Sequence, residues 1–485
     1  MTAPYVSEHP ESAGGSVTVA FSAETSGVVP MTWAQQVIWR PITRYGEHNG
    51  YFNLKLAVDV PEPRDPARPL TLDELLPILR RVVERHESLR AHFSDAPDGP
   101  TMDVAARGEF AVALREADGD GSRAVADALA QELGSPAVDY GAEWPIRFGV
   151  VTRLGVPAHL VLSISHMAAD VSAARLVFLE LMDLMARPGD LGLPELPGRS
   201  PLEQSAFEQS DQGLRRTGKA LSFWRRRLEA MPATMFDFER AELSGPRCHR
   251  LRFESPALAV AADRLADSAQ VSVSTVLLTG TALALSALTG QSTAAIQLIA
   301  SGRLDEDRRE MVATCTRNAM FLMDFPDGAL SELLKQVHRT ALAAYFYADV
   351  APDRFEQMLA EVEAERGEHL DRDVFFSDTR PLDRWDEVRG AEVSYAQARE
   401  LAGKSTISLV STSDIKDSEV FMTVDDHPVK DRCSLTLLHD TTFVPRPAAE
   451  QALRGIEAFF IEAAYDDAVT TGRFAELSGI KPLWQ

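Results

Sequence analysis

The stretch Pro157–Ala186, PAHLVLSISHMAADVSAARLVFLELMDLMA, carries a strand pattern and a helix pattern that are separated by only a few residues. Its first part is a run of apolar and β-branched residues, which is typical of a buried strand. Its last part repeats apolar residues at helical spacing, starting directly after Asp170. We therefore expect a strand, a short turn and a helix, with His166 and Asp170 at the turn.

The rest of the chain mixes strand and helix patterns without a regular alternation. Helices are expected in TWAQQVIWRPITR and TLDELLPILRRVVERH, with Thr32 and Thr71 as N-caps, and a single long polar helix in EQSAFEQSDQGLRRTGKALSFWRRRLEAM. The most apolar stretch, VLLTGTALALSALTG, is interrupted by Thr, Gly and Ser, so we expect a buried helix rather than a membrane span. The predicted fold class is α/β (α+β).

The length of 485 residues, with 45% hydrophobic and 25% charged residues, predicts a globular protein of two large lobes. A Pro/Gly-rich connector, RPGDLGLPELPGRSP, is the strongest candidate for a boundary. The predicted organisation is a disordered N-terminus (1–15), an N-terminal lobe (16–190), a linker (191–212) and a C-terminal lobe (213–485).

The charge balance excludes some classes of partner. Lys and Arg total 49 against 72 Asp and Glu, which gives a net charge of −23. Such a surface repels phosphate backbones and anionic lipid, so we expect neither nucleic acid nor membrane partners. The three cysteines are far apart and odd in number, which favours a reducing cytoplasm and no metal site. The polar start of the chain does not resemble a secretory signal.

Three His-x-x-x-Asp pairs occur among the eleven histidines. They are His166 with Asp170, His369 with Asp373, and His427 with Asp431. The last two lie in charged or Pro-containing stretches, which are typical of solvated loops. Only the first follows an apolar strand and precedes an apolar helix.

Two interpretations of this pair remain open on the residues alone. Asp170 could cap the helix while His166 is an ordinary half-buried histidine. Alternatively, a neutral imidazole could take a proton from an amine or hydroxyl that attacks a carbonyl, or could orient that nucleophile. The spacing itself does not decide between them.

Further segments, in the same order along the chain, resemble the motifs of nonribosomal peptide synthetase condensation domains. They are MTWAQQVIW, VVERHESLRAHF, EWPIRFGVV, SHMAADV, ALSFWRRRLEAMP, ASGRL with TCTRNAMFLMDF, and YADVAPDRFEQML. The chain resembles a free-standing form of these domains, which belong to the chloramphenicol acetyltransferase-like superfamily. The superfamily motif, His-His-x-x-x-Asp-Gly, is matched here by residues 165–171.

This resemblance implies a fold and a set of site residues. Two acetyltransferase-like lobes would form a V-shaped pseudo-dimer with a tunnel between them, and carrier proteins would deliver pantetheine-tethered substrates. His166 would be the catalytic residue. Asp170 would form a structural salt bridge with Arg303 of the second lobe, and Asn318 would lie beside the tunnel. Equally, Asn318 could be a polar residue that satisfies backbone groups at a strand edge.

Two positions of the motif depart from the family pattern, and both are expected to line the tunnel or contact substrate. Ser165 stands where the family has its first His, a residue with a structural role. Val171 stands where the family has Gly, and a stiff, β-branched side chain there is expected to crowd the space beside His166. These departures favour a specialised or non-catalytic relative.

The leading hypothesis is a stand-alone condensation enzyme, an acyltransferase of natural-product biosynthesis. An amine or hydroxyl, from a small molecule or a second carrier, would attack an acyl thioester held by an acyl or peptidyl carrier protein, giving an amide or ester. We expect no bound cofactor, since the substrate would be tethered to the phosphopantetheine of the carrier, or would arrive on coenzyme A. The alternative is a non-catalytic module that recruits a tailoring enzyme or a carrier protein.

Overall fold

The computed structural model describes residues 14–61, 68–117, 119–380, 393–426 and 431–484. Residues 1–13 of the predicted disordered N-terminus lie outside these ranges, and Gly14 and Gly15 belong to a strand. The strands are β1 (Gly14–Ser22), β2 (Gly27–Pro30), β3 (Asn53–Asp59), β4 (Ala91–Ala96), β5 (Gly99–Val104), β6 (Arg107–Glu116), β7 (Ile146–Arg153), β8 (Val156–Ser165), β9 (Cys248–Ser255), β10 (Thr293–Ala300), β11 (Arg317–Asp324), β12 (Val374–Asp378), β13 (Thr406–Ser413), β14 (Val420–Asp425) and β15 (Cys433–Asp440).

The helices alternate irregularly with these strands, so the predicted mixed α/β class is confirmed. They are α1 (Trp33–Tyr45), α2 (Leu72–Arg85), α3 (Ser122–Gly134), α4 (Val171–Met185), α5 (Pro201–Gln209), α6 (Asp211–Ala230), α7 (Pro256–Ala269), α8 (Val273–Thr289), α9 (Leu330–Phe346), α10 (Pro352–Arg366), α11 (Tyr395–Ala402), α12 (Arg446–Tyr465) and α13 (Phe474–Ser478).

The chain divides into two compact units, and the division differs from the predicted organisation in two respects. The first unit is formed by Met1–Leu214 together with Ser301–Thr316, and the second by Arg215–Ala300 together with Arg317–Gln485. The loop Ser301–Thr316 therefore belongs to the first unit, although the sequence analysis assigned it to the C-terminal lobe. The stretch predicted as a linker, 191–212, also belongs to the first unit.

The first unit contains a five-stranded sheet, ordered β1-β6-β7-β8-β3, and a three-stranded sheet, ordered β2-β5-β4. Strand β8 lies between β7 and β3, and helices cover both of its faces. Val161 packs with Leu129 of α3 on one face, whereas Leu162 and Ile164 pack with Val177 of α4 on the other. Burial on both faces explains why β8 reads as a continuous apolar run instead of an alternation.

The second unit is built on a seven-stranded mixed sheet, ordered β11-β10-β12-β14-β15-β9-β13. β12 pairs in parallel with β10 and with β14, and the other pairings are antiparallel. Its core also contains α8, in which most residues are buried, so the predicted buried helix is confirmed. Within the described ranges no single helix meets the length and hydropathy of a membrane span; α7 and α8 meet them only jointly, across a bend of 108°.

Two helices begin at the predicted N-caps, and one predicted helix is divided into two. Thr32 and Thr71 each form a capping box with the residue three positions on, so both predicted N-caps are confirmed. The prediction of a single long polar helix was wrong, because this segment is divided into α5 and α6 at Ser210. Ser210 has an extended backbone (ψ 161°), and its hydroxyl accepts the N–H of Gly213 at 3.3 Å, which starts a new helix.

Candidate active site

The turn that carries His166 is held by backbone hydrogen bonds to two neighbouring segments. At the end of β8, Ser165 lies opposite Asn53 of β3 and donates its N–H to the carbonyl of Pro145 at 2.8 Å. The N–H of His166 donates to the carbonyl of Phe52 at 3.2 Å. The strand, turn and helix predicted around His166 are confirmed, with β8 ending at Ser165 and α4 beginning at Val171.

Ser165, which stands in place of the first histidine of the family motif, is buried and bonded to a tyrosine. Its hydroxyl lies 2.6 Å from the hydroxyl of Tyr140 and accepts the N–H of Met167 at 3.2 Å. Burial raises the pKa of Tyr140 to about 12, against the opposing effect of this hydrogen bond. The two hydroxyls thus fix the start of the turn, and Tyr140 is a contributor that the sequence analysis missed.

Asp170 combines the two roles that the residues alone left open. As the N-cap of α4, its Oδ1 accepts the N–H of Ala173 at 2.8 Å. The same oxygen accepts Nη2 of Arg303 at 2.9 Å, and Oδ2 accepts the N–H of Cys315 at 2.8 Å. Asp170 is only 1% exposed, so each of these donors compensates for the burial of its carboxylate. The ion pair implied by the resemblance is present, but the placement of Arg303 in the second lobe was wrong, because both members belong to the first unit.

Arg303 organises the loop Ser301–Thr316 from within. Its Nη1 donates to the carbonyls of Arg308 and Met311 at 2.9 and 2.8 Å, and its Nη2 donates to the carbonyl of Ala313 at 3.1 Å. Gly302 precedes it with a φ of +68°, and a Cβ there would overlap the carbonyl oxygen of Cys315. Only glycine meets both demands without strain, which gives a physical reason for the Gly-Arg pair in ASGRL.

His166 is half-buried, and one of its ring nitrogens contacts this loop. Nδ1 lies 3.0 Å from Oγ1 of Thr314, and the same hydroxyl donates to the backbone carbonyl of His166. Burial lowers the pKa of His166, although the bond to its own carbonyl and the charge of Asp170 act in the opposite direction. The ring is therefore mainly neutral at neutral pH, and Nε2 makes no hydrogen bond within the described part of the chain.

Val171 and Asn318, the other predicted site residues, lie in different surroundings. Val171 is the first residue of α4 and is 47% exposed. It is not among the described residues with positive φ, so the glycine of the family pattern is not required by the backbone here. Asn318 is half-buried on β11 of the second unit, opposite Ile299 of β10. That Val171 crowds the site and that Asn318 lines a tunnel remain predictions.

The two other His-x-x-x-Asp pairs do not form comparable sites. His369 is 82% exposed in its side chain and bonds to Glu363, 2.8 Å away, as expected for a solvated loop. His427 lies outside the described residues. Across the ranges that the structure describes, no group of three or more His, Cys, Asp or Glu side chains is arranged to hold a metal ion.

Comparisons with known proteins match this chain to one family. The family model for the condensation domain matches residues 25–386. A search of curated protein sequences found no match. One similar solved structure is the holo form of AB3403, a four-domain nonribosomal peptide synthetase bound to AMP and glycine (TM-score 0.65, 15% identity, 93% of this chain and 33% of that one). The chain thus spans about a third of that synthetase.

Two other solved structures are similar over nearly their whole length. One is SgcC5 from Streptomyces globisporus, in complex with (R)-(-)-1-(2-naphthyl)-1,2-ethanediol and sucrose (TM-score 0.65, 17% identity, 90% of this chain and 98% of that one). The other is the X-domain from teicoplanin biosynthesis, in complex with OxyB (TM-score 0.65, 17% identity, 98% of each chain). At this identity the likeness shows the fold. With the family match over most of its length, the chain belongs to the condensation-domain family and has the mixed α/β, chloramphenicol acetyltransferase-like fold of that family.

Proposed function

We propose that this protein is a stand-alone condensation enzyme that forms an amide or ester from a carrier-bound acyl thioester. The observation that supports the proposal most directly is the state of His166. Its ring is half-buried at a turn held by backbone hydrogen bonds, only Nδ1 bonds to a side chain among the described residues, and burial favours the neutral form. A neutral, oriented imidazole with one unengaged nitrogen is suited to accept a proton.

In the proposed reaction the nitrogen of an amine, or the oxygen of a hydroxyl, attacks the carbonyl carbon of the thioester. Its proton passes to Nε2 of His166. The carbon–sulfur bond then breaks, and the departing thiolate takes the proton from the imidazolium. The products are an amide or ester and the free thiol of the carrier, so the histidine is regenerated without any redox step.

The proposed partners follow from this chemistry. The donor is the acyl group on the phosphopantetheine arm of a separate carrier protein, in the cytoplasm, and the protein needs no bound cofactor of its own. A small-molecule alcohol is one acceptor class consistent with the diol held by SgcC5, which is similar to this chain in fold. A carrier-bound amine is the other.

The test uses carrier proteins encoded beside the gene for this chain, loaded with acyl groups and mixed with candidate amines and alcohols. Product is measured by mass spectrometry. Because general-base catalysis contributes roughly 10²- to 10⁴-fold, His166→Ala should lose most of the rate while its circular dichroism stays unchanged. His369→Ala, which alters the exposed histidine of a second His-x-x-x-Asp pair, is the matched control and should keep full activity. A His166→Ala rate equal to wild type would contradict the proposal.

A second candidate function is recruitment of a tailoring enzyme without catalysis. It is supported by the motif departures at Ser165 and Val171 and by the similarity in fold to an X-domain that was solved with OxyB. Under this alternative the wild-type protein forms no product in the assay above, yet binds a tailoring enzyme from the same gene cluster in a titration calorimeter. A catalysed product that depends on His166 would exclude it.

A further inference from the structure

Thr314 is a buried residue of the loop Ser301–Thr316, and its hydroxyl touches His166 at two atoms. The oxygen lies 3.0 Å from Nδ1 of the ring and also within hydrogen-bond distance of the backbone carbonyl of His166. Thr314 is only 2% exposed, so bulk water does not compete for its hydroxyl. The two contacts must therefore be satisfied together by a single hydroxyl group.

The single hydrogen of the Thr314 hydroxyl determines the donor in each of these two hydrogen bonds. A threonine hydroxyl has one hydrogen to donate and can accept through its lone pairs, whereas a backbone carbonyl only accepts. The hydrogen of Thr314 must point at the carbonyl of His166, since otherwise two oxygen atoms would face each other without a proton between them, and a buried acceptor without a donor is destabilising. The contact with Nδ1 is then satisfied only if Nδ1 carries a hydrogen and donates it to Thr314.

We propose that Thr314 is a positioning residue that fixes neutral His166 in the tautomer with its hydrogen on Nδ1 and its lone pair on Nε2. Resting on the proposed function, this makes Nε2 the atom that accepts the proton of the nucleophile. A neutral imidazole exchanges between two tautomers, and only one of them presents a base at Nε2. The bond of the ring to its own carbonyl favours the same tautomer, and Thr314 adds a second acceptor for the hydrogen on Nδ1. Thr314 thus acts on catalysis through the ring of His166.

Asp170 fixes the backbone on both sides of Thr314, at Ala313 through Arg303 and at Cys315 directly. The carbonyl of the residue before it, Ala313, accepts Nη2 of Arg303, and the same guanidinium nitrogen bonds to Asp170. The N–H of the residue after it, Cys315, donates to Oδ2 of Asp170. Asp170 therefore orients the imidazole indirectly, through the loop, which explains how a carboxylate that does not touch the ring can belong to the same motif.

The first test needs no substrate. Protein labelled with ¹³C,¹⁵N-histidine is studied by solid-state NMR at a pH where His166 is neutral, and the His166 signals are assigned by their loss in His166→Gln. We expect a protonated Nδ1 and an unprotonated Nε2 in the wild type and in Thr314→Ser, which keeps the hydroxyl. In Thr314→Val, a near-isosteric change without a hydroxyl, the Nε2–H form should appear. A wild-type ring with its hydrogen on Nε2 would overturn the inference, as would a Thr314→Val spectrum identical to that of the wild type.

The second test measures the consequence for turnover. With acyl carrier protein and nucleophile, Thr314→Val should lower kcat at least several-fold with little change in KM, and Thr314→Ser should restore it. Equal kcat values for the valine and wild-type proteins would overturn the catalytic part of the inference. If no variant or wild-type protein forms product, the proposed function fails, but the tautomer assignment is still decided by the spectra.

Discussion

The carboxylate of Asp170 accepts a hydrogen bond from the backbone N–H of Cys315, 145 residues further along the chain, at 2.8 Å. With its remaining lone pairs it also caps α4 and binds Arg303. One buried side chain therefore connects the strand–turn–helix of the motif to the loop Ser301–Thr316. Because the bonds to these three donors are lost together when the carboxylate is removed, the structural and the positioning roles of Asp170 are coupled.

Asp170→Ala should destabilise the protein by about 3–5 kcal/mol, because it leaves the guanidinium of Arg303 buried without its counter-ion. The measurement is the free energy of unfolding from guanidinium titration. Asp183→Ala is the matched control, since it breaks an exposed helical ion pair with Arg187 and should cost at most about 1 kcal/mol. Equal losses in the two variants would contradict the buried-pair argument.

The parts of this site that the sequence predicted are those encoded locally. An apolar run followed by a helical pattern gave the ends of β8 and α4 to within one or two residues, and a carboxylate before an apolar helix indicated the cap at Asp170. Arg303 came only from the resemblance. Thr314 and Tyr140 were missed because they act through contacts 148 and 25 residues apart in the chain, which no local pattern encodes.

The fold shows the same division between local and long-range information. Capping residues such as Thr32 and Thr71 marked helix starts correctly, since a cap is satisfied within four residues. The assignment of the loop Ser301–Thr316 depends instead on tertiary contacts. Val312 packs into the core of the first unit, and its carbonyl accepts the hydroxyl of Ser88 at 2.7 Å. No pattern in the sequence of the loop predicts that it belongs to the first unit, whereas β10 before it and β11 after it belong to the second.

Ser165→Ala should cost about 1–3 kcal/mol, because it leaves the buried hydroxyl of Tyr140 and the N–H of Met167 without their partner. Tyr140→Phe removes the other hydroxyl and should recover part of this cost. In a double-mutant cycle, followed by thermal or chemical unfolding, the two substitutions together should therefore cost about 1 kcal/mol less than the sum of the single variants. Strict additivity would show that the two hydroxyls are not coupled.

Gly302→Ala should lower the free energy of unfolding by about 1–3 kcal/mol or more. Gly302 has a φ of +68°, and an added Cβ would overlap the carbonyl oxygen of Cys315. The variant should also lose acyl transfer, because the displaced loop carries Thr314. Gly218→Ala is the control: Gly218 lies in α6 with open space around it, and alanine there should stabilise the helix by up to about 1 kcal/mol. A neutral effect at Gly302 would show that the loop relaxes without cost.

The stability of the second unit should depend on pH through Glu419, a residue that is 1% exposed. Burial raises its pKa to about 9, and the neighbouring carboxylates of Asp371 and Asp373 act in the same direction, while Lys416 opposes them. Above its ordinary pKa of 4.5 the unfolded chain loses this proton, whereas the folded protein retains it up to about pH 9. The contribution of Glu419 to stability is therefore complete below pH 4.5 and is lost progressively as the pH rises to 9.

Glu419→Gln imitates the protonated carboxyl group and removes this titration. The difference in unfolding free energy between the wild type and the Glu419→Gln variant should consequently shift in favour of the variant between about pH 6 and pH 8, by up to about 1.4 kcal/mol per pH unit. Guanidinium titrations at both pH values measure it. Because the carboxyl group of Glu419 in the folded protein has a pKa of about 9, the difference between the two proteins should level off above about pH 9. A difference that stays constant with pH would mean that Glu419 is ionised in the folded protein, and that Lys416 outweighs the effect of burial.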